Sequence, residues 1–181
     1  MKLKLYKGRP ENTGGRLEKE IKVYDLLDAL NIKYERIDHT PVMTMEACEE
    51  IDKALGAPIC KNLFLCNRQK TDFYLLMIPS GKSFHTKELS AQIGSARLSF
   101  ADEVFLEKYM NLTSGSVSIM GLINDMKNHV RLLVDEDILK NEYLGCHPCV
   151  NTSSLKIRTA DVFDIFLKEI HHDKTIVHLS S

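Results

Sequence analysis

No run in this 181-residue sequence is long and apolar enough to cross a bilayer; the longest, Phe73 to Pro79, is only a strand's length. The N-terminus, MKLKLYKGRP, is basic but lacks the apolar segment of a secretory signal, so the expected address is the cytoplasm. Nine glycines and five prolines leave no low-complexity linker, and nothing repeats at a period of about 20–50 residues. The common catalytic signatures are missing as well: no Walker phosphate loop, no Rossmann glycine fingerprint, no HExxH and no GxSxG. The five cysteines (48, 60, 66, 146 and 149) are an odd number in a chain without a secretory signal, which argues for reduced thiols rather than a disulfide framework.

What remains is an ordinary globular composition, 44% hydrophobic and 27% charged, enough for one domain with a sizeable core. The net charge of −1 is unevenly divided. Residues 1–52 carry −2, residues 53–97 carry +5 and residues 98–181 carry −4. Folded onto one face, the middle segment can meet a polyanion locally without the overall basicity of a non-specific nucleic-acid binder.

Hydrophobic periodicity predicts a helix over Arg16–Asn31, with Leu17, Ile21, Tyr24, Leu27 and Leu30 on one face. A short strand follows at Tyr34–Asp38. A second helix, capped by Thr44, runs to Leu55 before Gly56. Asn62–Cys66 and Phe73–Ile78 read as a hairpin. Thr86 is a candidate cap for a helix to Ile93, and Ser99 for another to about Tyr109. Val130–Val134, Ser153–Ile157 and Lys174–Leu179 read as strands, and Thr159–Ile170 as a helix. The elements intersperse without a regular βαβ rhythm, predicting an α/β domain of mixed, α+β-like character with no second domain.

Four strings invite chemistry. Cys146-His147-Pro148-Cys149 has the spacing of half a zinc site, but there is no second CxxC or HxxxH pair, and Cys60 and Cys66 complete a set only if the fold brings them close; Pro148 and the strand-like surroundings oppose a redox role, and buried thiols are the plainer reading. Lys61 enters an apolar strand, where its ammonium must reach solvent, a ligand or a counter-ion. Gly115 to Leu122 is a small-residue loop whose backbone can approach a ligand, though most such loops are only turns. His147, taken alone, is as consistent with a structural histidine as with a catalytic one.

Taken in order, four segments resemble the YbaK/prolyl-tRNA-synthetase-insertion family of prolyl-tRNA editing proteins. They are His39-Thr40-Pro41-Val42-Met43-Thr44 with Glu46-Ala47; Lys61-Asn62-Leu63-Phe64-Leu65; Gly115-Ser116-Val117-Ser118 followed by Gly121 to Asp125; and His147-Pro148-Cys149-Val150-Asn151-Thr152. The resemblance spans about residues 16–179, closest to the stand-alone alanyl-tRNA(Pro) deacylases, including the PrdX branch. It implies an N-terminal extension (1–15) and an editing domain (16–181) built on a curved mixed sheet flanked by helices. The implied activity is hydrolysis of mischarged tRNA, foremost Ala-tRNA(Pro), without metal or other cofactor.

By the same resemblance Lys61 is the essential lysine and Gly115 opens the loop that holds the aminoacyl end. Asn62, Thr44, Ser116, Val117, Ser118 and Ile119 are candidate substrate contacts, and His147 is a candidate positioning group or base. Ile119 stands where the family loop, G-x-x-x-P, has proline; this frees one N–H and loosens φ, which bears on loop rigidity and selectivity more than on the fold. The chemistry needs no protein nucleophile, because an aminoacyl ester is already activated: placing a water and stabilising the oxyanion with backbone donors suffices. The implied partners are the tRNA(Pro) acceptor end and, as a candidate, prolyl-tRNA synthetase. Lys53, Lys61, Arg68, Lys70, Lys82, Lys87 and Arg97 are the candidate tRNA contacts in the basic segment, giving weak, salt-sensitive binding. The alternatives are a non-catalytic module that binds aminoacyl-tRNA or an amino acid, and a small zinc or thiol-redox protein.

Overall fold

The computed structural model describes residues 2–181 and contains two sheets. The first is antiparallel, ordered β1 (Leu5–Lys7), β2 (Tyr34–Asp38), β8 (Ser153–Arg158) and β7 (Tyr143–Cys146). The second is mixed, ordered β5 (Leu98–Phe100), β3 (Lys61–Asn67), β4 (Phe73–Ile78), β6 (Val130–Asp135) and β9 (Lys174–Val177). Its β5–β3–β4 part is antiparallel, and β4–β6–β9 is parallel. An isolated parallel bridge, Ile59 to Gly145, connects the residues entering β3 with the edge strand β7. The mixed sheet implied by the sequence thus takes the form of two sheets joined at this point. Residues 5–7, expected in an extension, form the edge strand beside β2.

The continuous apolar run of β4 is explained by burial on both faces. Phe73, Leu75 and Met77 join the larger core with Val23, Tyr24 and Leu27 of α1 (Glu18–Ala29). Tyr74, Leu76 and Ile78 join a smaller core with Leu89 of α3 (Thr86–Ile93) and Val177 of β9. Side chains two apart on a strand share a face, so Leu63 and Leu65 of β3 pack into the smaller core and Phe64 and Cys66 into the larger.

Helix α2 (Met45–Leu55) starts and stops where the sequence places it: Thr44 Oγ1 accepts the Ala47 N–H at 3.2 Å, and Gly56 takes a left-handed φ of 72°. Elsewhere the residues named as caps do other work. Ser99 lies within β5, drawn into the sheet by pairing with Cys66, and the helix begins later as α4 (Glu103–Met110) with Asp102 at the N-cap position. Thr86 is the first helical residue; its hydroxyl donates to Leu98 O at 2.7 Å and accepts the Leu98 N–H at 3.1 Å, tying α3 to β5. The predicted Thr159–Ile170 helix is wound as a π-helix over Asp161–Phe166, followed by the short α5 (Leu167–Glu169). The loop read at 115–122 contains two 3-10 turns, Ser114–Ser116 and Ile119–Asn124. Among the described residues no helix is long and apolar enough to cross a membrane.

Candidate functional site

The bridge between Ile59 and Gly145 organises the site. Gly145 N–H donates to Pro58 O at 3.1 Å. Its bare α-carbon permits this approach: a Cβ there would lie 2.8 Å from Ile59 Cγ1 and 3.0 Å from Pro58 O. Cys60 and Cys146 are thereby neighbours, with Ser118 and Cys149 also close to the Cys146 thiol. Asn62 joins the same group, its Nδ2 donating to Cys60 O at 3.2 Å. Asn62 and Ser118, distant in sequence, are therefore drawn toward the buried Cys60 and Cys146, while the side chain of His147, the next residue, turns to Ser153, Ser154 and His39.

His147 follows β7 and is partly buried. Its Nδ1 lies 2.9 Å from Ser153 O. A carbonyl can only accept, so Nδ1 carries the proton and Nε2 presents a lone pair. Burial, chiefly, and the neighbouring His39 hold its pKa below the ordinary histidine value, while the Ser153 contact opposes them. His39 is fixed in the same way, Nδ1 to Thr40 O and Nε2 to Ser154 Oγ, both at 2.9 Å. Neutral His147 can accept a proton or a hydrogen bond; it is poorly suited to being a cation.

The loop offers backbone more than side chains. Ser116 Oγ is bonded to Thr113, and Ser118 Oγ accepts the Met120 N–H at 3.1 Å; both residues are buried. Ile119 is fully buried in the larger core. It is also the first residue of a 3-10 turn, the position where proline's missing N–H is tolerated. Ile and Pro are therefore interchangeable there in backbone terms, and the rigidity that the ring would supply comes instead from packing. Val117 is half-buried and Gly115 exposed. A Cβ at 115 would come 3.3 Å from Asn151 Nδ2. Beside this contact lies a cavity of about 460 Å³ walled by Thr113, Ser116, Asn151, Arg16 and Asp38 among others.

Lys61 lies on the other side of the strand. It shares a face with Leu63 and Leu65, whereas Asn62 shares one with Phe64. The Lys61 ammonium donates to the carbonyl of Lys82. The first two residues of β3 thus present an ammonium on one face and a carboxamide on the other.

The basic residues do not form one free patch. Lys53, Arg68, Lys87 and Arg97 are exposed, on α2, on the β3–β4 turn, on α3 and before β5 respectively. Lys70 pairs with Asp102. Lys82, expected to contact tRNA, is only 8% exposed and is held by Asp135 Oδ1 at 3.0 Å, Asp137 Oδ2 at 2.9 Å and Leu179 O at 2.8 Å. It is unavailable to a polyanion. Thr44, expected at the substrate, is the cap of α2.

Four thiols are buried. Burial raises Cys60 and Cys149 to about 12 and lifts Cys146 further, so these are protonated and unreactive as nucleophiles. Among the described residues no group of three or more His, Cys, Asp or Glu side chains is arranged to hold a metal ion.

Reading the residues one at a time missed the polar group beneath the site. Arg16 Nη2 binds Asp38 Oδ2 at 2.9 Å, and Ser153 Oγ donates to Asp38 Oδ1 at 2.7 Å. Arg36 also bonds Asp38, and Arg16 reaches buried Glu20 at 2.6 Å. Burial alone would raise Asp38; the Arg16, Arg36 and Ser153 hydrogen bonds overcome it and bring the carboxyl to about 2. The sequence signal was there in Asp38-His39 and Ser153-Ser154, adjacent polar residues at strand ends.

A family model described as an aminoacyl-tRNA editing domain matches residues 39–165. The chain is 36% identical over 136 residues to the prolyl-tRNA editing protein ProX of Acetoanaerobium sticklandii, covering 75% of this chain and 83% of that protein. It is 28% identical over 163 residues to a Danio rerio protein named prolyl-tRNA synthetase associated domain-containing protein 1, covering 89% and 86%. A solved structure proposed to be a trans-editing enzyme for prolyl-tRNA synthetase superposes with a TM-score of 0.67 at 13% identity, covering 91% of this chain and 98% of that one.

Proposed function

The chain belongs to the aminoacyl-tRNA editing domain family, and we propose that it edits in trans, hydrolysing the ester of mischarged tRNA(Pro) with alanine as the acyl group removed. Deacylation as the reaction class follows from the family; the alanine and the roles below are our reading. Its main support is that the matched region, residues 39–165, contains Lys61, the 115–119 loop and His147, and that the Ile59–Gly145 bridge holds the start of β3 against the end of β7, the strand that leads into His147.

In this reading the substrate straddles the start of β3. The terminal phosphate or ribose meets the Lys61 ammonium on one face. The acyl group crosses to the other, against Asn62, the backbone of the Gly115 loop and His147. Backbone N–H groups of that loop stabilise the tetrahedral oxyanion, and the neutral Nε2 of His147 orients the water or the free ribose hydroxyl. No covalent intermediate is needed. Discrimination follows the double-sieve logic: a small apolar side chain is worth only ~1–3 kcal/mol in a synthetase pocket, so a second site that admits alanine but not proline is needed.

The test is single-turnover deacylation of Ala-, Ser- and Cys-tRNA(Pro) by the wild type and Lys61→Ala. Release of alanine by the wild type and its loss in a folded Lys61→Ala protein is expected. An unchanged Lys61→Ala rate removes Lys61 from the mechanism. Tight binding without ester loss establishes the regulatory module instead.

A further inference from the structure

The most elaborate polar arrangement outside the reacting groups surrounds Lys82. This lysine closes the turn after β4, its N–H donating to Pro79 O at 3.1 Å. Its side chain runs inward to Asp135, which is 0% exposed, and bonds both carboxylate oxygens at 3.0 and 3.2 Å. Asp137 and Leu179 O complete the shell. Asp135 is itself fixed by the N–H groups of Asp137, at 3.0 Å, and Leu179, at 3.1 Å. A buried lysine matched this fully is expensive to build, since both charges leave water. Its stabilising value over an apolar pair is small, which leaves room for a second task.

That task is visible in the other end of the residue. The Lys82 carbonyl is the acceptor for the Lys61 ammonium. A turn carbonyl moves with its backbone unless something pins it, and here the pin is the residue's own side chain, anchored in β6, the following 3-10 turn (Glu136–Lys140) and the segment after β9. We propose that Lys82, clamped by Asp135, is a positioning residue for Lys61: it holds the carbonyl that takes one N–H of the ammonium and so directs the remaining two toward the substrate phosphate or ribose. A free lysine side chain has several rotatable bonds and samples many positions. Held at one N–H, it becomes a directed donor. The proposal rests on the editing reading for the identity of the substrate, but the tethering of Lys61 is independent of it.

The experiment reads both. Lys82→Met alone leaves buried Asp135 without its partner and is prone to unfold, so the informative variant is Lys82→Met/Asp135→Asn, which removes both charges together; Lys82→Arg retains the charge. The Lys61 ammonium is followed by its side-chain 15N–1H resonance, assigned by its disappearance in Lys61→Met. In parallel, single-turnover deacylation of Ala-tRNA(Pro) is measured for each variant. A slowly exchanging, ordered ammonium is expected in the wild type, lost in the double variant and recovered at least in part in Lys82→Arg. The rate should fall roughly 10- to 100-fold in the double variant, the scale of a mispositioned group, and recover in part in Lys82→Arg. An unchanged Lys61 signal in the double variant overturns the proposal, as does a rate loss that persists in Lys82→Arg although the ammonium signal has returned, which would mark a purely structural role. If the wild type hydrolyses no aminoacyl-tRNA, the editing reading fails, and the ammonium signal alone decides the tether.

Discussion

Replacing Gly145 by alanine should separate the two sheets where the site is assembled. Gly145 does not have a positive φ, so alanine is allowed there by its own backbone and the whole effect comes from contact. The added Cβ would lie 2.8 Å from Ile59 Cγ1, 3.0 Å from Pro58 O and 3.2 Å from Ile59 N. Two of those atoms are backbone, and the third is the first branch atom of a β-branched side chain; none can swing aside cheaply. Relieving such an overlap costs about 1–3 kcal/mol. Losing the 3.1 Å bond from Gly145 N–H to Pro58 O adds about 0.5–1.5 kcal/mol. Together these give about 2–4 kcal/mol, or a fall in melting temperature of roughly 5–15 °C for a domain of this size. Cys60 and Cys146 move apart with the bridge, so the start of β3 and the end of β7, which leads into His147, lose their shared anchor. Deacylation should therefore fall even at temperatures where the variant remains folded. Gly81→Ala, where the new methyl meets nothing within 4 Å, is the control and should leave both quantities unchanged. Thermal unfolding followed by circular dichroism, with a deacylation assay well below the transition, measures both effects. A Gly145→Ala protein with unaltered melting and unaltered rate would refute the claim that this contact assembles the site.

Other consequences follow from the charge and packing around the site. The native Asp38 carboxyl titrates near 2, below its unfolded value of about 3.9, so its stabilisation is complete above that value and is lost as pH falls toward 2. Asp38→Asn should flatten that part of an acid-unfolding curve, and a curve identical to wild type would count against the Arg16–Asp38–Arg36 group. His147 is depressed below the ordinary histidine value, so the fold favours its neutral form; this contribution is present at neutral pH and is lost as pH falls through the lowered native pKa. The deacylation rate should decline only below about pH 6.5, and His147→Gln should lose that inflection while keeping the fold; an inflection that survives in His147→Gln belongs to another group. Ile119→Pro should fold, because the first position of a 3-10 turn needs no N–H, with a loss of about 1–3 kcal/mol from the emptied core volume; an unfolded protein would show that the Ile119 N–H is required.

Local signals were dependable where one residue does one thing. The periodicity of α1, the cap and stop of α2, and the apolar runs of β3 and β4 are short-range consequences of sequence, and the helices and strands form there. They failed where a distant partner decides the outcome. The segment 98–100 has a residue suited to capping a helix, yet pairing with β3 makes it a strand. The three residues of β1 have too little pattern to be read alone and become a strand only because β2 offers an edge. Lys82 looked like any surface cation until Asp135, 53 residues away, was brought to it.

The sequence by itself determined that the chain is one domain of mixed architecture and marked the segments that carry Lys61, Gly115 and His147. It could do so because burial patterns, caps and short motifs are written within a few residues of one another. Tertiary structure alone decided which faces those side chains take, that the serines of the loop turn inward, and that the Lys82 ammonium is buried against Asp135 with its carbonyl toward Lys61. Those outcomes depend on strand parity, on the contact between Ile59 and Gly145, and on buried charge pairing. Each is a relation between residues that only folding makes neighbours.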